Sequence, residues 1–232
     1  MPNSSPSKCN RLLDMAYNFT AASSQYLSAP DTASLDITGA ITLAAWVKSS
    51  GSYGGGGIIS KYFTATNNRS YSLYINASGQ IVTSFAPNGT SANVRSNTGS
   101  TILGTNWRHV AVTFVPSTSI TLYVDGAVES MTNNGVPLPS AIFSGSASLW
   151  VGSISNTTST WDGLIAEASI YNAALTAAEI ASLSKGMTCD KIRPQSLVFY
   201  APLVRALIDQ KGGLALTNNN GATVANHPRV YA

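Results

Sequence analysis

Apolar and polar residues alternate along most of this chain. Ile41, Leu43, Ala45 and Val47 alternate with Thr42, Ala44, Trp46 and Lys48. Tyr71, Leu73 and Ile75 alternate with Ser72, Tyr74 and Asn76, and Ile81, Thr83 and Phe85 follow after Ser78-Gly79. Val110, Val112 and Phe114 precede Ile120, Leu122 and Val124. A period of two sends successive side chains to opposite faces of a strand. Strands of this kind, punctuated at short intervals by Gly, Asn, Ser and Pro, predict a β-sandwich or barrel. Asp125-Gly126 is the best hairpin turn, because both residues tolerate positive φ. Asn88-Gly89, Asn134-Gly135 and Asn220-Gly221 mark further turns. The run from Gly54 to Gly57 reads as a flexible loop, not a phosphate cradle, since no Gly-Lys-Ser/Thr follows and a strand comes next.

One short helix is predicted. Thr176 can cap the amide of Glu179 while Glu179 reaches back to Thr176, with Leu175 and Ile180 as the hydrophobic staple. Gly186 is placed to end it. Three segments result: an N-terminal arm (1–15), a main β domain (16–186) and a C-terminal extension (187–232). The extension holds short strands at Leu197–Tyr200, Leu214–Thr217 and Thr223–Ala225, and is expected to pack on the main domain or on a neighbouring subunit.

Composition narrows the function classes. The 232 residues suffice for one large β domain. Charged residues make up 10%, against roughly 25% in a typical domain. The polar surface must therefore be Ser, Thr, Asn and Gly, as on many extracellular or virion β proteins. The formal charge of +3 is scattered, with no basic stripe among aromatics, so no nucleic-acid partner is expected. The first residues lack the apolar stretch of a secretory signal, and no window approaches a membrane span. Cys9 and Cys189 lie just outside the two ends of the main domain, as a disulfide or as two free thiols.

Several motifs in order resemble one family. They are YNFTAASSQYLSAP, ITLAAWVKSS, IISKY, YSLYI, NWRHVAVTF, TLYVDG, LWVGS and GLIAEASIYNAALTAAEIASL. Together they resemble laminin-G-like, concanavalin-A-like jelly-roll domains over about residues 16 to 184. The resemblance implies an all-β sandwich of two antiparallel sheets. Trp46 and Trp107 fall on family core positions. Many relatives carry Ile-Asp-Glu where this chain has Ile165-Ala166-Glu167, which puts in doubt any role of that acid, calcium included. The tail, ending near His227, Pro228 and Arg229, is similar to those of jelly-roll proteins of tailed phages.

Catalytic chemistry finds no foothold. Retaining glucanases need two carboxylates about 5–5.5 Å apart, and Glu129, Glu167 and Glu179 each lack a carboxylate two residues away. Glu179 is accounted for by capping. His109 lies within a strand and reads as structural, and His227 sits in the tail. No Gly-x-Ser-x-Gly elbow is present, and two distant His and two distant Cys make no zinc signature. No cofactor is expected; calcium would have to use loop carboxylates such as Asp31, Asp36 and Asp162, each of which reads first as a surface or turn aspartate. Tyr53, beside the glycine run, and Trp161, at the end of a polar loop, are the candidate sugar-stacking residues, with Trp150 a third.

These residues predict a non-catalytic protein. The first reading is a phage capsid decoration protein on the virion surface, partnered by the major capsid protein or another virion protein, forming a homo-oligomer and able to bind surface glycans. The alternative is an extracellular carbohydrate-binding, lectin-like module. A hydrolase is the third.

Overall fold

The computed structural model describes residues 15–51, 55–155, 158–204, 206–228 and 230. The alternating segments are strands throughout. In chain order they are β1 (Met15–Phe19), β2 (Tyr26–Ala29), β3 (Ile41–Ser49), β4 (Gly56–Phe63), β5 (Asn68–Ile75) and β6 (Gln80–Gly89). There follow β7 (Arg95–Thr101), β8 (Arg108–Val115), β9 (Ser119–Val124), β10 (Ala127–Val128), β11 (Thr132–Asn133) and β12 (Leu149–Val151). The last are β13 (Ser153–Ser155), β14 (Thr158–Thr160), β15 (Gly163–Tyr171), the helix α1 (Ala177–Ser184), β16 (Leu197–Ala201), β17 (Thr217–Asn219) and β18 (Thr223–Asn226).

Two antiparallel sheets stack face to face. The first runs β10-β9-β8-β3-β15-β1-β18, with β16 also beside β15; the second runs β11-β7-β6-β5-β4-β12-β2-β17. Their inner faces carry the core that the alternation predicts. Ile41, Leu43, Ala45, Val47, Val110, Val112 and Phe114 meet Tyr71, Leu73, Ile81 and Phe85, all buried. Phe85 and Phe114 stack across the gap, with centroids 4.6 Å apart. Each such side chain contributes about 1.5–3 kcal/mol of hydrophobic stabilisation when fully buried.

Local signals resolve into defined geometry. Asp125 and Gly126 take φ of 50° and 82° between β9 and β10, the doubly positive pattern of a type I′ turn. The Thr176–Glu179 capping box is formed. At the other end, Gly186 donates to Leu183 (2.9 Å) and Met187 to Ser182 (3.1 Å), a Schellman closure.

The glycine run departs from its expected loop. Gly56 and Gly57 lie within β4. The β13–β14 ribbon passes directly over them, and a Cβ at Gly57 would overlap the Ser153 carbonyl. Glycine here permits close backbone approach between ribbon and sheet.

The C-terminal segment is woven into both sheets. β16 pairs with β15, β17 with β2 and β18 with β1. The middle strand begins at Thr217, later than the expected Leu214, because Ala215 and Leu216 instead bond to the 207–208 stretch. β1 and β16 lie end to end along one side of β15, pairing with its two halves. At their junction the ladder of β15 is irregular between Ala166 and Ser169, and Glu167 adopts φ of 53°.

Candidate functional site

The outer face of the second sheet concentrates neutral polar chemistry. Register places Ser60 opposite Ser72, Ser72 opposite Ser84 and Ser84 opposite Ser96. These serines form one row across four strands, at about 4.8 Å per step. Ser84 and Ser96 hydroxyls bond to each other at 2.8 Å. Ser60 donates to the Ile154 carbonyl of the overlying ribbon (2.6 Å). Strands β4 to β7 contain no Asp or Glu.

Two tyrosines rise from this face. Tyr62 and Tyr74 are half-buried. Burial raises both phenols' pKa values, and Tyr62 also feels the charge of Tyr74. Ser84 bonds to Tyr74, and the Arg69 guanidinium lies 5.8 Å from the Tyr62 ring centre. Ser70 and Ser72 lie between the tyrosines along β5. Both are buried, and neither hydroxyl has a hydrogen-bond partner. A buried hydroxyl without a partner costs about 1–3 kcal/mol, and both oxygens are sealed from solvent by the groups around them.

The candidate sugar-stacking tryptophans present no open ring on this face, although Trp150 sits beside Ser60 in the same row. Trp161 is 1% exposed and belongs to the main core, because β13 and β14 pair as a ribbon over β4 and carry the ring inward. Trp150 does face away from Leu149 and Val151, but it is 7% exposed, with Phe63 packed 5.8 Å from it. Neither offers an open stacking face. Tyr53 lies outside the described residues. Trp46 is half-buried, edge-on to His109 at 5.5 Å. His109 is buried, and burial drives its pKa down to about 3, so it is a neutral packing residue.

Every carboxylate among the described residues is engaged. Asp162 accepts from the Ala21 amide and the Ser50 hydroxyl, and Asp209 from the amides of Tyr200, Lys211 and Gly212. Glu129 meets Ser100, Asp125 meets Arg108 and Asp190 meets Lys191. Glu179, held by Thr176, is also bridged by Arg193. Asp31 and Asp36 do converge, but on the Lys61 ammonium, at 2.8 and 3.1 Å. The aspartates that calcium would have to use therefore do not fit it, since lysine already fills the point where two of them meet. Among the described residues no cluster of three metal-ligating acids, histidines or cysteines occurs.

Glu167, 3% exposed, anchors the C-terminal segment. It accepts from Tyr200 (2.6 Å) and pairs with His227 (3.1 Å). Burial opposes the charged imidazole, but the bond and charge of Glu167 outweigh it and raise the His227 pKa. Cys189 is a free, buried thiol, pushed up by burial and by the Glu167 charge. Cys9 lies outside the described residues. A nearby cleft is lined by Thr188, Asp190, Leu197, Tyr200 and Lys211. Two of its polar groups are occupied internally, Lys211 by the Pro194 carbonyl (2.9 Å) and Tyr200 by Glu167.

Sequence reasoning passed over Tyr62 and did not mark Tyr74. The outward position of Tyr74 is readable from its alternation with Leu73 and Ile75. Its neighbourhood with Tyr62 depends on the β4–β5 register, whose irregularity between Lys61 and Tyr62 leaves no sequence signal.

No curated protein matches this sequence. Solved structures match its fold. A candidate carbohydrate binding protein from Bacteroides ovatus is 17% identical with a TM-score of 0.67, over 95% of this chain and 62% of that one. This chain thus spans less than two thirds of that protein. A heptameric pentraxin from Limulus polyphemus is 16% identical with a TM-score of 0.59, over 93% and 96% of the two chains. The CBM40 of Ruminococcus gnavus IT-sialidase is 12% identical with a TM-score of 0.53, over 73% and 96%. A laminin-G-type family model, described as the concanavalin A-like lectin/glucanases superfamily, matches residues 21–181. With more than half its length so matched, and the paired sheets in place, the chain belongs to the concanavalin A-like lectin/glucanases superfamily.

Proposed function

We propose that this protein is a non-catalytic carbohydrate-binding module that takes neutral, hydroxyl-rich sugars on the outer face of its second sheet. The observation that carries this reading is the pair of half-buried tyrosines, Tyr62 and Tyr74, on a face whose strands β4 to β7 carry serines and no Asp or Glu. Tyrosine rings give an apolar face for a sugar's C–H groups and a polar tip for its hydroxyls. Serines can donate or accept, which suits a ligand whose hydroxyls do both. The engaged carboxylates support binding over hydrolysis.

The neighbours favour this alternative over capsid decoration, since one is described as a candidate carbohydrate binding protein and another, the CBM40, is also seen bound to α2,3 sialyllactose. An extracellular setting accompanies it. No helix among the described residues is long and apolar enough to cross a membrane.

A glycan array probed with the purified protein, followed by calorimetry on any hit, tests the reading. Binding to neutral glycans is expected, with Tyr62→Ala and Tyr74→Ala each losing about 1.4 kcal/mol, or tenfold in Kd. An array without hits, or variants that bind like the parent, would overturn it.

A further inference from the structure

We propose that Lys61 serves as a built-in cation, ordering the loop at residues 31–36 without metal and making this module independent of calcium. On β4 the side chain of Lys61 points with Ile59 toward the core, directly opposite the buried Tyr71. Its side chain is fully buried. An ammonium in such a position is tolerated only when paired and hydrogen-bonded. It meets Asp31 Oδ1 at 2.8 Å, Asp36 Oδ1 at 3.1 Å and the Gly145 carbonyl. Three acceptors match the three N–H donors of lysine.

The arrangement has the form of a cation site whose occupant is covalently attached. Two carboxylates five residues apart in sequence turn toward one point, as loop ligands turn toward a metal. Without a positive charge between them they would repel. Calcium would need six to eight oxygens. Here Lys61 holds the centre, and the Leu35 carbonyl within the same loop is taken by the Tyr71 hydroxyl at 3.0 Å. Tyr71, buried and near both aspartates, has its pKa raised well above the ordinary phenol value, so it remains a donor. An attached cation is present at every calcium concentration, so the loop does not loosen when calcium is scarce.

The inference stands apart from the glycan reading, because its readout is stability with no sugar present. Thermal unfolding in EDTA and in millimolar calcium tests it with three proteins. The wild type is expected to melt at the same temperature in both. Lys61→Met keeps the stem but removes the charge; in EDTA its midpoint falls by on the order of 10 °C. Calcium then recovers a large part of that loss, or, where the variant does not fold in EDTA, restores folding. The triple variant Asp31→Asn, Asp36→Asn, Lys61→Met lacks the converging charges and is expected to ignore calcium. A wild type stabilised by calcium, a Lys61→Met protein unaffected by it or unfolded in both buffers, or a calcium-responsive triple variant would each overturn the proposal.

Discussion

The first and second sheets bury their inner faces alike and treat their outer faces differently. On the first sheet, Ala44, Ala111, Tyr123, Tyr171 and Tyr200 are roofed by Leu175, Ile180, Leu183, Cys189 and Ile192 from α1 and the segments on either side of it. That face is a second apolar core. On the second sheet, the equivalent surface is a serine row with half-buried tyrosines and only the short β13–β14 ribbon across β4. An apolar face demands a permanent cover, whereas a hydroxyl face can exchange water for a ligand. The contrast separates the side of the molecule that secures the fold from the side to which our proposal assigns the ligand.

Substitutions can break or sharpen this contrast. The largest effect is expected from Tyr171→Ala, which removes a fully buried ring under the roof. A loss of about 3–5 kcal/mol in denaturant unfolding is expected. A Tyr74→Ala protein losing as much would erase the distinction between the faces, since about 1 kcal/mol or less is expected there.

Next in size is Glu167→Gln, which strips the charge from the His227 and Tyr200 pair. A loss of about 2–3 kcal/mol is expected. The wild type should also depend on pH in a definite sense. The His227 pKa is raised above 6.5 in the folded protein. Its contribution is fully present below pH 6.5 and is lost as pH rises through the raised folded value. Melting curves across that window should show this slope in the wild type and lack it in Glu167→Gln. Smaller again is Thr176→Ala, which opens the capping box and costs about 1 kcal/mol by the same unfolding measurement. The smallest is Ser96→Ala, which deletes the part-buried 2.8 Å bond to Ser84. It should cost about 0.5–1 kcal/mol.

The fold was far more legible than the candidate site. Period-two stretches such as Ile41 to Val47 report their own facing, because the pleat alone decides it. The helix ends were equally local, written in Thr176, Glu179 and Gly186. Trp161 was misread because a polar loop around an aromatic suggests exposure, and only the crossing of the ribbon over Gly56 and Gly57 carries the ring inward. Lys61 gave a signal that local reading could have caught. It shares the face of Ile59, where a lysine implies a buried partner. Which aspartates would answer it depends on loop closure over more than twenty residues, and no local pattern records that.

The end-to-end seating of β1 and β16 beside β15 bears on the order in which a nascent chain can fold. β15 has half of one side unpaired until Leu197–Ala201 arrives, and β1 has an open side until Thr223–Asn226 arrives. During synthesis, both sheets wait with bare edges for residues made near the end, because β17 also caps β2. Bare edges recruit neighbouring chains, so the interval between translating Tyr171 and Asn226 is when this protein is most exposed to aggregation.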